Sequence, residues 1–408
     1  MVVTSGHLST CPRMLKSADA LADAGYDVRV VATSNEPWAI DTDRDVRSRR
    51  TWPATVVNYR AGHSGLTYWW TGARTRVSRA AVTTFGMARA PLALVVRAAG
   101  RTHDELVRAA AAEPADLIYG GTTGALAAVA EAAGRSGTRY ALDLEDFHSA
   151  EASGPEAPST DALVNRIERA VLPGAAFLTT SSERIADAYR DRYGLEPDVI
   201  HNTFPLPVEP PDFTRTDPAT LRLYWFSQTI GPGRGLEEVV AAVGRAGITA
   251  VLALRGRPQD DYVEALRDQA RMQTPHLTLV HLPPAPPDAM VDLARGYDIG
   301  LALEAMTPRN RQLCVTNKAF TYILAGVGVA ISDTPGQHAL GVDLGRAAAL
   351  VPPGDIDALA SAFTHWAADP GALDCAKRTA WQAAVRRWRW DHPQERGVLL
   401  DLVGAALS

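Results

Sequence analysis

Short apolar runs alternate with stretches of helical character from one end of the chain to the other, and no other feature restricts the fold as strongly. The first series reads VVT, DVRVVAT, TVVNY, DLIYG, RYALDLE, AFLTTS and DVIHN; the second reads LRLYWFS, TAVLALRG, LTLVHLP, DIGLALE, VGVAISD and AALVPP. Runs apolar throughout, rather than at every second position, belong to strands buried on both faces. Strand and helix in regular succession therefore imply parallel sheets covered by helices, and two series imply two doubly wound α/β domains. Between them lies FPLPVEPPDFTRTDP, Phe204 to Pro218, whose prolines continue neither a helix nor a central strand. The expected organisation is a first domain over 1–207, a linker over 208–220, a second domain over 221–388 and a tail over 389–408 that returns to the first. In the second domain, helices are expected at Gly235–Ala246, Asp260–Gln273, Asp288–Gly296, Asp355–Ala368 and Ala372–Trp388. Trp381, Trp388 and Trp390, near the crossing, are expected to pack, because tryptophan carries a large apolar area.

A chain of 408 residues is long enough for two or three domains, each with its own core. A net charge of −5 with 21% charged residues describes an ordinary soluble protein and gives no sign of nucleic acid binding. Cys11, Cys314 and Cys375 are odd in number and form no C-x-x-C pair, which argues against a disulfide framework or a zinc site and fits a reducing cytoplasm. No apolar run approaches the roughly eighteen residues of a membrane span, and the first residues lack the basic region and apolar stretch of a signal peptide. A cytoplasmic protein without export is expected. The first strand, Val2–Ser5, is short for the centre of a sheet, so the natural start is expected a few residues upstream.

The stretch Asp298 to Gly336 runs strand, loop, helix, strand and exposes polar groups at the joints. Asn317 is read as the N-cap of a helix Lys318–Ala325 that stops at Gly326. The first N–H groups of a helix lack intrahelical partners and carry partial positive charge, and Lys318 adds a full charge on that turn. The combination is an anion site suited to a diphosphate. The plainer alternative is a simple cap and a solvated lysine. The loop Thr307 to Thr316 is longer than such connections usually are, as loops that hold ligands often are.

Two further clusters stand out. Asp143, Glu145, Asp146, His148 and Glu151 form the densest group of acids and histidine in the first half; substrate orientation, helix capping with solvated charge, and a metal site compete as explanations. From Arg44 to Arg108 there are twelve arginines against three acids, interleaved with Trp52, Tyr59, Tyr68, Trp69, Trp70 and Phe85. Such a surface suits an anionic membrane with a lipid-linked acceptor, or an anionic small molecule, and otherwise is a solvated face.

Gly6, Pro12, Arg13, Lys16, Ala18, Leu21, Ala22, Gly25, Val28 and Val30 at the start, DLEDFH at Asp143–His148, TTSS at Thr179–Ser182, Ile200–Asn202 and the Asn317–Lys318 helix occur in an order that resembles the retaining family-4 type of GT-B glycosyltransferases. The resemblance spans nearly the whole chain. It implies two Rossmann-like domains facing a cleft, and transfer of a sugar from a nucleotide diphosphate sugar to an acceptor hydroxyl with retention, without metal or cofactor. By the same resemblance, Arg234 takes the place of the family lysine and with Lys318 grips the donor diphosphate, while Asp146 and His148 orient the acceptor or the sugar. Donor contacts are expected from Gly6, Ser227, Gly231, Gly233, Arg255, Glu304, Asn317, Lys318 and Thr321. A guanidinium binds phosphate oxygens bidentately, and the glycines let backbone approach the ligand. Two positions depart from the pattern: Gln228 stands where an arginine is expected, and Thr321 replaces a glutamate that accepts from both ribose hydroxyls, which a threonine cannot do. Glu304 either compensates or is an ordinary exposed glutamate. The expected partners are the donor and a hydroxyl-bearing acceptor (glycan, lipid-linked or small molecule), with peripheral membrane contact through 44–108. The rivals are a nucleotide-sugar epimerase or hydrolase on the same fold, and a binding subunit with a degenerate donor site.

Overall fold

The computed structural model describes residues 1–63, 65–214 and 217–408. Ser64 of the basic interval and Arg215 and Thr216 of the linker lie outside the described residues. The chain divides into two compact units, Met1–Ile200 with Pro393–Ser408, and His201–His392.

The first unit holds seven strands: β1 (Val2–Thr4), β2 (Val30–Ser34), β3 (Ala54–Asn58), β4 (Leu117–Gly121), β5 (Arg139–Leu144), β6 (Leu178–Thr180) and β7 (Asp198–Val199). They are parallel and lie in the order β3-β2-β1-β4-β5-β6-β7. The central strands are buried on both faces, as their unbroken apolar sequence requires. Helix Pro12–Asp23 turns Met14, Leu15, Ala18 and Leu21 inward. The C-terminal helix Val398–Leu407 is part of this unit, where the Arg139 guanidinium donates to the carbonyl of Ala406 at 2.5 Å.

The second unit holds β8 (Leu221–Ile230), β9 (Ala250–Pro258), β10 (Leu277–Leu282), β11 (Ile299–Ala302), β12 (Gly328–Ser332) and β13 (Ala348–Val351), also parallel, in the order β10-β9-β8-β11-β12-β13. The helices anticipated from sequence are Leu236–Ala246, Tyr262–Gln273, Met290–Ala294, Ile356–Ala368 and Pro370–Arg386. The unit begins at His201, ahead of the prolines. The His201 ring packs edge-on to Trp388 and Phe320, and the Phe204 carbonyl accepts from the Trp390 N–H at 2.8 Å.

Two expectations are corrected here. The stretch Thr307 to Thr316 is not a plain loop, since it contains a short helix, Arg309–Leu313. β8 continues to Ile230, past the anticipated LRLYWFS, with an irregularity between Phe226 and Thr229 that places Ser227 and Gln228 on a bulge. Among the described residues no helix is long and apolar enough to cross a membrane.

In each sheet the order reverses once, between β1 and β4 and between β8 and β11. At such a reversal the two following loops diverge to opposite faces of the sheet. The crevice left at the carboxyl ends is where ligands bind in open α/β folds.

Candidate functional site in the second unit

The turn after β8 supplies Gly233, Arg234 and Gly235, and the segment after β11 supplies Leu303 and Glu304, so the β8/β11 reversal brings these residues together. Gly233 and Gly235 have φ of 70° and 77°, a left-handed backbone that glycine adopts without strain. A Cβ at Gly235 would also lie 2.9 Å from the Cβ of Leu303. Helix Leu236–Ala246 starts at this turn. A cavity of about 230 Å³ opens here, bordered by Gly233, Gly235, Glu304, Ser332 and the Pro352–Asp355 turn after β13.

Lys318, Arg234 and Arg311 gather around the Glu304 carboxylate beside it, and Glu238 and Asp355 also line the cavity. Lys318 Nζ lies 3.6 Å from Glu304 Oε1 and 3.3 Å from Thr316 Oγ1, with the Trp225 ring 5.6 Å away. Burial pushes the Lys318 ammonium below its ordinary pKa; Glu304 opposes that shift and Arg234 adds to it. Burial and the charge of Arg311 likewise lower the pKa of Arg234, against the pull of Glu304. Arg311 is fixed by donating to the Gly233 carbonyl at 2.5 Å. Among the described residues, the half-buried Arg234 guanidinium makes no hydrogen bond or ion pair. The like charges of Arg234, Arg311 and Lys318 disfavour one another, and an anion placed among them removes that penalty.

Several expected contacts are corrected. Asn317 is not the cap: it is the first residue of helix Asn317–Leu324, Thr316 occupies the cap position, and no side chain closes the turn. Glu304 is not an exposed glutamate but a buried partner of Lys318, and its N–H donates to Ser332 Oγ at 3.0 Å. Thr321 is fully buried and donates to the Asn317 carbonyl at 3.1 Å, so its hydroxyl turns into its own helix and away from solvent. Lys318 is more deeply placed than a solvated first-turn lysine, with 7% of its side chain exposed. Gly231 packs against Gln259 rather than on the cavity. Arg255 is committed to the Tyr224 hydroxyl and the Pro283 carbonyl, both at 2.8 Å. Ser227 is half-buried on the bulge, its carbonyl against Gly256. Arg311, Ser332 and Asp355 were not singled out from sequence. The only signal was that PPGD follows a strand, and that marks a turn without saying what it faces.

In the first unit the β1/β4 reversal joins Ser5–Gly6 to Thr122–Thr123. The Ser5 N–H donates to Thr122 Oγ1 at 3.0 Å, and Thr122 is held at φ 76°, a strained value for a residue with a branched side chain. Gly6 is required for space, since a Cβ there would lie 2.7 Å from Cys11 Sγ. Of the acid cluster, Asp143 is structural: it takes both carboxylate bonds from Arg13 Nε, at 2.8 and 2.6 Å, and a third from Thr179 at 2.6 Å, all buried. His148 is buried, with Nδ1 3.0 Å from both Glu151 and Thr123 and with Nε2 lacking a partner among the described residues. Burial alone would push its imidazole down. The hydrogen bond and charge of Glu151, with Asp146 and Glu168 behind it, lift the pKa to about 9, so the ring is a cation at neutral pH. Burial and Asp146 raise the Glu145 carboxyl to about 7. His7 is a different case: Nε2 accepts from the N–H groups of Asn35 and Glu36 at 3.0 and 2.9 Å, leaving Nδ1–H for Asp43 at 2.6 Å. That bonding fixes the orientation of a structural histidine. Among the described residues no cluster of His, Cys, Asp or Glu is placed to hold a metal ion.

Residues 12–203 match the family model of the glycosyl transferase 4-like domain. No curated protein matches in sequence. In structure the chain is similar to HepE of Anabaena in complex with UDP and glucose, at 15% identity with a TM-score of 0.68, over 100% of this chain and 98% of that one. It is similar to sucrose-phosphate synthase of Thermosynechococcus elongatus at 15% identity and TM-score 0.64, over 99% of both. A putative UDP-N-acetylglucosamine 2-epimerase of Listeria monocytogenes gives 12% identity and TM-score 0.56, over 99% and 95%. The fold is the two-domain GT-B fold of parallel sheets flanked by helices.

Proposed function

We propose that the protein is a glycosyltransferase that takes its sugar from a uridine diphosphate sugar held in the second unit and passes it to an acceptor hydroxyl with retention at the anomeric carbon. The observation that carries the donor assignment is the Arg234 guanidinium, half-buried, flanked by Arg311 and Lys318 and without an anionic partner among the described residues. A diphosphate supplies the missing charge. Arg234 and Arg311 contact its oxygens, and the uncapped turn at Asn317 adds backbone donors. Lys318, set deeper, contributes charge and holds Glu304 at the cavity edge, where the carboxylate can accept from a ribose hydroxyl in place of the glutamate that Thr321 replaces. As the sugar–phosphate bond lengthens, negative charge grows on the leaving diphosphate, and this preformed positive field stabilises it. Uridine is the base carried by the ligand of the similar HepE structure.

In the first unit, a histidine protonated up to pH about 9 cannot act as the general base, so the buried His148 instead contributes positive charge beside the substrate. Asp146 helps keep it charged. In retention the departing phosphate takes the acceptor proton. Inversion is the second reading, favoured by the Glu145 carboxyl at about 7, a value suited to a base.

The test is a thermal-shift panel of uridine, guanosine, thymidine and adenosine diphosphate sugars, followed by turnover with and without acceptors. UDP-sugars are expected to raise Tm and to be consumed only when an acceptor is present. Consumption of donor alone points to epimerisation or hydrolysis, and no shift with any nucleotide points to a binding subunit. The anomeric configuration of the product, read by NMR, separates retention from inversion.

A further inference from the structure

Helix Leu66–Phe85 buries Thr71, Ser78 and Val82 and turns most of its apolar residues outward. Leu66, Trp70, Ala73, Val77, Ala80 and Thr84 recur at helical spacing and are all exposed, with Trp69 beside them. Trp69 and Trp70 are 67% and 65% exposed, whereas Thr71 and Ser78 on the opposite face are buried. Polar clamps attach that inner face to the unit. Arg74 pairs with Glu105 at 2.5 Å and Asp104 at 3.2 Å, and Arg101 bonds Thr71 Oγ1 at 3.1 Å and the Tyr68 carbonyl at 2.6 Å. Arg79 bonds the Ala98 carbonyl at 3.1 Å. A helix attached by ion pairs that offers tryptophans to solvent has a face meant to be covered.

Charge identifies what covers it. No acid occurs from Val46 to His103, while arginines recur throughout, and Arg76, Arg79 and Arg89 are exposed on this helix or just beyond its end. An apolar stripe with aromatic rings, flanked by cations and free of acids, is the composition of a helix lying in the interface of an anionic bilayer, where indole rings sit at headgroup depth.

We propose that helix Leu66–Phe85 docks the protein on the surface of an anionic membrane, with Leu66, Trp69, Trp70 and Val77 inserted among the headgroups and Arg76 and Arg89 against lipid phosphates. This does not depend on the donor chemistry of the second unit. The test is flotation of the full chain with vesicles of phosphatidylcholine alone or mixed with phosphatidylglycerol, at low and high salt. Binding is expected only to the phosphatidylglycerol vesicles and weaker at high salt. The double substitution Trp69→Ser/Trp70→Ser lowers partition at least about tenfold, and Arg76→Gln lowers it about fivefold. Tm is unchanged in both, because the replaced side chains are exposed. Three results overturn the proposal: absence of flotation at low salt, flotation unaffected by the tryptophan substitutions, or a dimer in sedimentation that the same substitutions dissociate.

Discussion

Replacing Arg234 by methionine separates a ligand-binding cation from a structural one. Burial and its like-charged neighbours Arg311 and Lys318 lower the pKa of the guanidinium against the pull of Glu304, so its charge is disfavoured in the fold. The variant therefore keeps the apo Tm of the parent or exceeds it. For UDP the change runs the other way. A charge-assisted bond to phosphate is worth about 1.5–3 kcal/mol, so Kd rises by about tenfold to 150-fold. At a UDP concentration of about 100 times the parental Kd, binding stabilises the parent by about 2.7 kcal/mol. With Kd about thirtyfold higher, the same concentration gives about 0.9 kcal/mol, a third of the thermal shift. Calorimetric titration with UDP and melting with and without it measure both quantities. A variant that binds UDP within threefold of the parent refutes the anion assignment, and an apo Tm lowered by several degrees refutes the claim that Arg234 has no structural partner.

Three other outcomes follow from the same structure. Lys318→Met lowers turnover at least about tenfold and also lowers apo stability, because it leaves the buried Glu304 carboxylate without its partner; normal turnover contradicts the first and an unchanged Tm the second. Arg13→Met strands the buried Asp143 carboxylate and costs about 3–5 kcal/mol, whereas Arg13→Met/Asp143→Leu recovers most of that in urea melts; equal losses in the two variants contradict it. The stability supplied by His148 is complete below its ordinary pKa near 6.5 and is lost as pH rises through about 9, because the folded state binds the extra proton in that window. The stability difference between parent and His148→Gln therefore shrinks from pH 6.5 to 9. The difference is the readout because Lys16, lowered to about 7 chiefly by burial, gains stability with pH over part of the same range.

Sequence alone decided the strands, their parallel pairing and the two-unit division, because every buried parallel strand must be apolar along its whole length and every crossover helix amphipathic. The runs from VVT to AALVPP each became a strand. It also located the two turns that meet at the β8/β11 reversal, since glycines before a helix and a polar first turn are local signals. Only tertiary structure decided which polar side chains remain available to a ligand. Arg255, Asp143 and Thr321 are as polar in sequence as Arg234, yet their partners lie 31 residues away at Tyr224, 130 residues away at Arg13 and one helical turn back at Asn317. Pairing over such distances depends on the assembled fold, and so does its absence: Arg234 has charge to offer because three other segments placed two cations and one buried carboxylate around it. The outward tryptophans of helix Leu66–Phe85 follow the same logic, because the clamps at Glu105 and Arg101 that turn its threonine and serine inward come from a different part of the chain.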